Sequence, residues 1–128
     1  MRYLLDTHVF IWWDNHRSRL SPKALALCED LDNDIYLSIV SVWELQIKSL
    51  LGKLTLPLPL VETIEQQITQ NRLQILPLQL DHVYAIAQLP DLHKDPFDRL
   101  LLAQVVAEGL QFITADAEIQ KYPLPTIW

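Results

Sequence analysis

His93-Lys94-Asp95-Pro96-Phe97-Asp98-Arg99 runs directly into Leu100-Leu101-Leu102-Ala103-Gln104-Val105-Val106, and Gly109 follows shortly after. The second half of this stretch is an apolar helix, and the first half is its start signal. Asp95 stands where an N-cap belongs, and Pro96 takes the first helical position, where a missing N–H costs nothing. Gly109 is suited to close the helix. Asp98 falls on the third helical position and can face back toward the cap. Read alone, this is a well-made helix start. Other carboxylates, distant in sequence, stand at similar helix entrances, and they change its meaning.

The chain has 128 residues, enough for one domain with a sizeable core, and is read as a single domain over residues 1–128. Half of it is hydrophobic and Gly is scarce, a compact composition. No apolar run approaches the ~18 residues of a membrane span. Met1 to Asp6 reaches its first acid too soon for a signal peptide, and Cys28 is alone, so cytoplasm is expected. The net charge of −6 argues against a high-affinity phosphate-gripping surface. It leaves a nuclease open, because an acidic metal site carries negative charge that bound cations cancel.

Strand and helix patterns alternate. Arg2 to Leu5 reads as a buried strand ending at Asp6, and Thr7-His8 then starts a helical patch through Trp13. Ser21-Pro22 opens a helix whose Ala24, Cys28 and Leu31 share a face. Ile35 to Ile39 is a second strand. Ser41-Val42-Trp43-Glu44 matches a capping box for a helix running to about Gly52. Leu60, Ile64 and Ile68 line a further helix, with Glu62, Glu65, Gln66 and Gln67 turned outward. Leu73 to Pro77 is a third strand, Asp81 to Gln88 a short helix, and Leu110 to Thr114 a fourth strand. Asp116 and Glu118 open a short helix, and Thr126 to Trp128 is a candidate edge strand. The alternation predicts an α/β fold with a parallel sheet covered on both faces. Its site should lie beyond the carboxyl ends of the strands.

Asp6 ends the first strand, Glu44 follows the second and Asp116 the fourth, so all three belong to one sheet edge. Asp98 follows a loop instead, and strand order alone does not bring it there. Each acid could simply serve a helix N-terminus. Together they would repel one another, whereas Ser or Thr could cap without that cost. The joint pattern favours a divalent cation, and oxygen-only ligands suit Mg²⁺ or Mn²⁺. His8 and His93 each neighbour a site acid and are expected to hydrogen-bond there. Lys48, one turn beyond Glu44, and Arg99, beside Asp98, are expected to pair with those carboxylates.

Tyr3-Leu4-Leu5-Asp6-Thr7-His8, Ser41-Val42-Trp43-Glu44, Asp95-Pro96-Phe97-Asp98-Arg99 and Ile113-Thr114-Ala115-Asp116 occur in an order that resembles PIN domains, specifically the VapC-type toxins of toxin–antitoxin modules. The likeness spans essentially the whole chain. It implies a three-layer α/β/α sandwich with a central, mostly parallel sheet of four to five strands. It implies an Mg²⁺- or Mn²⁺-dependent ribonuclease whose catalytic, metal-site acids are Asp6, Glu44, Asp98 and Asp116, with Thr114 orienting them. Ser41, Lys48 and Arg99 support that set, and Asp95 stays outside it as a cap. The implied partners are RNA, a second copy of the chain and a small antitoxin. Adjacent Trp12 and Trp13, which can hardly both face one core, point to the same association. Ala115 stands where the family often has a basic residue, which weakens any substrate grip from that loop.

Two other Mg²⁺-binding folds fit worse. A receiver domain needs an Asp after the third strand and a Lys after the last, and Leu76-Pro77-Leu78 and Pro125-Thr126-Ile127 supply neither. A dehalogenase-type phosphatase needs an Asp where His8 stands. A catalytically weak PIN fold acting only as a binding module is the remaining alternative.

Overall fold

The computed structural model describes residues Met1–Trp128. Five strands, β1 (Arg2–Leu5), β2 (Asp34–Ser38), β3 (Gln74–Leu76), β4 (Gln111–Ile113) and β5 (Thr126–Ile127), form one sheet in the order β3-β2-β1-β4-β5. Every pairing is parallel, with Tyr3 between Ile35 of β2 and Gln111 of β4. The chain builds outward from β1 through β2 to β3, then returns to the other side of β1. That reversal opens a crevice at the carboxyl ends of β1 and β4.

Seven helices cover the sheet: α1 (Thr7–Asn15), α2 (Pro22–Glu29), α3 (Ile39–Leu50), α4 (Leu60–Asn71), α5 (Leu80–Ala85), α6 (Pro96–Glu108) and α7 (Ala117–Gln120). The pleat sorts side chains between two cores. Tyr3, Leu5, Ile35, Leu37 and Ile113 pack with α1, α2 and Leu45 of α3 on one face. Leu4 and Phe112 pack with α5, α6 and α7 on the other. Alternate residues of one strand entering opposite cores is the signature of a sheet buried on both sides. The result is a three-layer α/β/α sandwich.

Several local expectations need correction. The cap of α3 is Ser38, whose Oγ accepts from the Val40 N–H; the helix starts at Ile39, and Ser41 lies buried inside its first turn. The hydroxyl at the end of β2 is reached first, so the capping box at Ser41 does not form. Gln67 turns inward, 4% exposed, donating to Asp14 and accepting from Asn71. Leu31 lies past the end of α2 and is exposed. Trp13 is fully buried, and Trp12, partly buried, packs beside the same core against Trp128, so the adjacent pair does face one core. The exposed aromatics are Trp43 and Tyr84. No helix is long and apolar enough to cross a membrane.

Candidate functional site

Asp6 occupies the turn from β1 into α1. Its Oδ1 accepts from the Thr7 N–H at 2.8 Å, and its Oδ2 accepts from the Thr114 hydroxyl at 2.7 Å. Thr114 follows β4, and its Oγ1 also accepts from the Asp116 N–H at 3.0 Å. One hydroxyl therefore ties the ends of the two strands that border the crevice. Asp116 caps α7 through its Oδ1.

Glu44 reaches the same place from α3, one turn beyond Val40. Its Oε1 accepts from the Thr7 hydroxyl at 2.9 Å, and its Oε2 pairs with Lys48 at 2.8 Å. Thr7 has one proton to donate, so the Ser41 hydroxyl, 2.8 Å away, completes the set by donating to Thr7. Ser41 thus acts from within α3 rather than as its cap.

Asp98 arrives by a different route. A crossover helix runs antiparallel to the strands it joins, so α6, which precedes β4, starts at the strands' carboxyl edge. Its cap is Asp95, which accepts from the N–H groups of Phe97 and Asp98. With the cap served, the Asp98 side chain does not fold back but turns toward His93 and the cleft. Asp6, Glu44, Asp98 and Asp116, together with Thr7, His8, Lys48 and Asp95, line one cleft of about 210 Å³.

This clustering has an electrostatic cost. Burial, reinforced by the charges of Asp116 and Glu44, raises Asp6 from 3.8 to about 6 against the hydrogen bonds from Thr114 and Thr7. Burial and the charges of Asp6 and Asp95 raise Asp98 to about 6, against the His93 contact. Lys48 is held above its usual range, chiefly by its hydrogen bond to Glu44. His8 is lowered by burial, against the charges of Asp116, Asp98 and Glu44. The Ala115 N–H donates to His8 Nε2 at 3.3 Å, which leaves Nδ1–H facing Asp6 at 3.4 Å. Lys48 and a burial-lowered imidazole do not balance five acids, so the cleft is short of positive charge.

Carboxylate oxygens are donors for a hard cation. No three of the Asp, Glu, His and Cys side chains stand close enough to clasp one ion directly. The side chains as placed therefore form no closed protein cage; what their donors allow is an ion held by one or two carboxylates, with water completing its shell.

The PIN domain family model matches residues 3–124. The chain belongs to the PIN domain family. This PIN domain is 29% identical to Ribonuclease VapC22 of Mycobacterium tuberculosis (strain ATCC 25618 / H37Rv), over 98% of this chain and 97% of that protein. Its fold matches VapBC2 from Rickettsia felis, solved bound to a promoter DNA fragment, with a TM-score of 0.76 at 19% identity over 99% and 98% of the two chains. It also matches FitAcB from Neisseria gonorrhoeae, with a TM-score of 0.59 at 20% identity over 91% and 89%.

Of the sequence-derived residues, the four acids and Lys48 line the cleft of this PIN domain, and Thr114 and Ser41 brace it from behind. Arg99 is misplaced by the sequence reading. It pairs with no carboxylate; its Nη1 donates to the Pro90 carbonyl at 2.9 Å and to the Tyr122 hydroxyl at 3.3 Å. Sequence reasoning missed the bridging hydroxyl of Thr7, although it sits beside Asp6, and it missed Tyr122, which no local pattern connects to Asp98.

A second concavity is apolar. Ile39, Val42 and Trp43 of α3 face Leu60, Val61 and Ile64 of α4 across a groove of about 590 Å³. Trp43 is 58% exposed and sets its ring edge against Phe97.

Proposed function

We propose that residues 1–128 act as one PIN domain that is a divalent-metal-dependent endoribonuclease, the VapC-type toxin of a toxin–antitoxin pair. The observation that carries this reading is five carboxylates, Asp95 beside the four site acids, brought from four separate parts of the chain to line one cleft with too little positive charge to balance them. Asp6 and Asp116 also cap α1 and α7, but Glu44 and Asp98 serve no cap and still turn into the cleft. The relative named as a ribonuclease, and the neighbour solved as VapBC2, support the same reading.

Asp6, Glu44, Asp98 and Asp116 are the metal-site and catalytic acids in this account, with Mg²⁺ or Mn²⁺ as the ion. When bound, the ion supplies a water acidified toward neutral pH and neutralises charge on the phosphodiester. The chain's own part is orientation. Thr114 and the Thr7 N–H fix both oxygens of Asp6, and Thr7 with Lys48 fixes Glu44. Lys48, half-exposed at the rim, also supplies the cleft's own positive charge toward an approaching phosphate.

A small antitoxin and a second copy of the chain are the protein partners, supported by the apolar groove between α3 and α4 and the exposed Trp43 and Val61. Cytoplasm is the proposed location.

The test is cleavage of a mixed RNA pool by purified protein with Mn²⁺ and with EDTA. Cleavage in Mn²⁺ that EDTA abolishes, and that Asp6→Asn loses by orders of magnitude, is the expected outcome. No cleavage by well-folded, Mn²⁺-loaded wild-type protein would favour a binding module instead.

A further inference from the structure

Arg99 is a cation next to a site acid that ignores it. Its Nη1 donates to the Tyr122 hydroxyl at 3.3 Å and is anchored by the Pro90 carbonyl. A guanidinium has donors only, so the Tyr122 oxygen accepts on that side. Its own O–H is then free for its other neighbour, His93 Nδ1, 2.6 Å away. A ring nitrogen that accepts carries no proton, so in the neutral imidazole the hydrogen sits on Nε2. Nε2 faces Asp98 Oδ2 at 3.4 Å. Arg99 fixes the first bond and Asp98 the last: an ionised carboxylate has nothing to donate, so Nε2 carries the hydrogen and Nδ1 is left to accept from Tyr122.

Packing holds the chain of groups in place. Tyr122 is 3% exposed among the residues of α6 and α7, and the His93 ring stands edge-on to it with centroids 5.3 Å apart. Neither His93 nor Tyr122 lines the cleft. Asp98 Oδ1 makes no hydrogen bond within the chain, so one oxygen is steered and the other is left for the cleft.

We infer that Arg99, Tyr122 and His93 form a one-way hydrogen-bond relay that positions the Asp98 carboxylate. They are positioning residues, not catalytic ones. The inference rests on the proposed role of Asp98 as a metal-site acid. It explains why a residue on the third position of α6, where acids fold back to the cap, stays turned toward the cleft. It also gives Arg99 a task that neither ion pairing nor phosphate binding describes.

Two readouts on the full chain test it. The first is the tautomer of His93, read from long-range ¹H–¹⁵N correlations at about pH 8, where an ordinary imidazole is neutral. The relay predicts the Nε2–H tautomer; the Nδ1–H tautomer would overturn it. The second is Mn²⁺ affinity, read by titration followed by electron paramagnetic resonance. Tyr122→Phe keeps the ring and removes the link. It should weaken Mn²⁺ by about tenfold, the scale seen when a partner of a metal ligand is lost. In RNA cleavage the loss should fall on kcat, with KM nearly unchanged. Affinity and tautomer both unchanged in Tyr122→Phe would overturn the relay. If that variant does not fold, the wild-type tautomer alone decides. If wild type binds no Mn²⁺, the metal reading fails, and the tautomer still judges the relay.

Discussion

Asp98→Asn removes one negative charge from the cleft while keeping the side chain's shape and an oxygen for His93. In the folded chain the Asp98 carboxyl is raised from 3.8 to about 6, by burial first and then by Asp6 and Asp95. A displacement of that size corresponds to about 3 kcal/mol against the ionised form. The side chain is 19% exposed and opens on a solvated cleft, so screening trims the figure to about 1–2 kcal/mol. The sign follows from linkage. The folded value lies above the unfolded one, so the cost is absent below about pH 4, grows toward pH 6 and is complete above it. Asn carries no such cost. With EDTA at about pH 8 the variant should therefore melt higher than wild type by roughly 3–8 °C, and at about pH 4 the difference should vanish. Adding Mn²⁺ should then reverse the order. A ligand at 100 times its Kd stabilises the native state by about 2.7 kcal/mol, and the variant should gain clearly less than wild type. Thermal unfolding followed by circular dichroism measures all of this. A variant less stable than wild type in EDTA at pH 8, or equal Mn²⁺ shifts in the two proteins, would refute the reasoning.

Asp95 supplies the contrast. Asn caps as well as Asp, so Asp95→Asn should keep the Mn²⁺ response and, having lost a charge that raises Asp98, should melt no lower than wild type in EDTA, whereas Asp95→Ala should fall about 1 kcal/mol below Asp95→Asn. Gly109 closes α6 at φ +65° with open space around it, so Gly109→Ala should lose about 1 kcal/mol through the backbone alone, read from urea unfolding. Cys28 is buried with its thiol pushed up to about 12, so it should react with a thiol reagent only at the rate the chain unfolds.

Much of this fold was legible because its signals are local. The Asp95-Pro96 start and Gly109 stop of α6 are fixed by φ angles and missing N–H groups, and they stand where the spacing puts them. Three acids were placed from the rule that loops after parallel strands share an edge. Asp98 was not, because strand order was applied without the direction of the crossover helix: α6 runs back across the sheet, so its start, not its end, meets the site. Ser41 shows the opposite failure. Its sequence context satisfies a capping box, but Ser38 closes β2 and caps the helix first, leaving Ser41 to support Thr7. Gln67 and Tyr122 were beyond reach, because their partners, Asp14 and His93, are set by packing between elements far apart in the chain. Trp12 and Trp13 carried the case for an exposed interface in the sequence; the apolar surface lies instead along α3 and α4.

The central claim is that these acids hold a divalent cation. It is tested most directly by crystals grown with Mn²⁺ and measured for anomalous scattering. A Mn²⁺ peak in the cleft, in direct coordination with an oxygen of Asp6 or Asp98 and with its shell filled out by water, is the predicted result. Well-ordered carboxylates in saturating Mn²⁺ with no peak between them, or with the ion bound elsewhere, would contradict it.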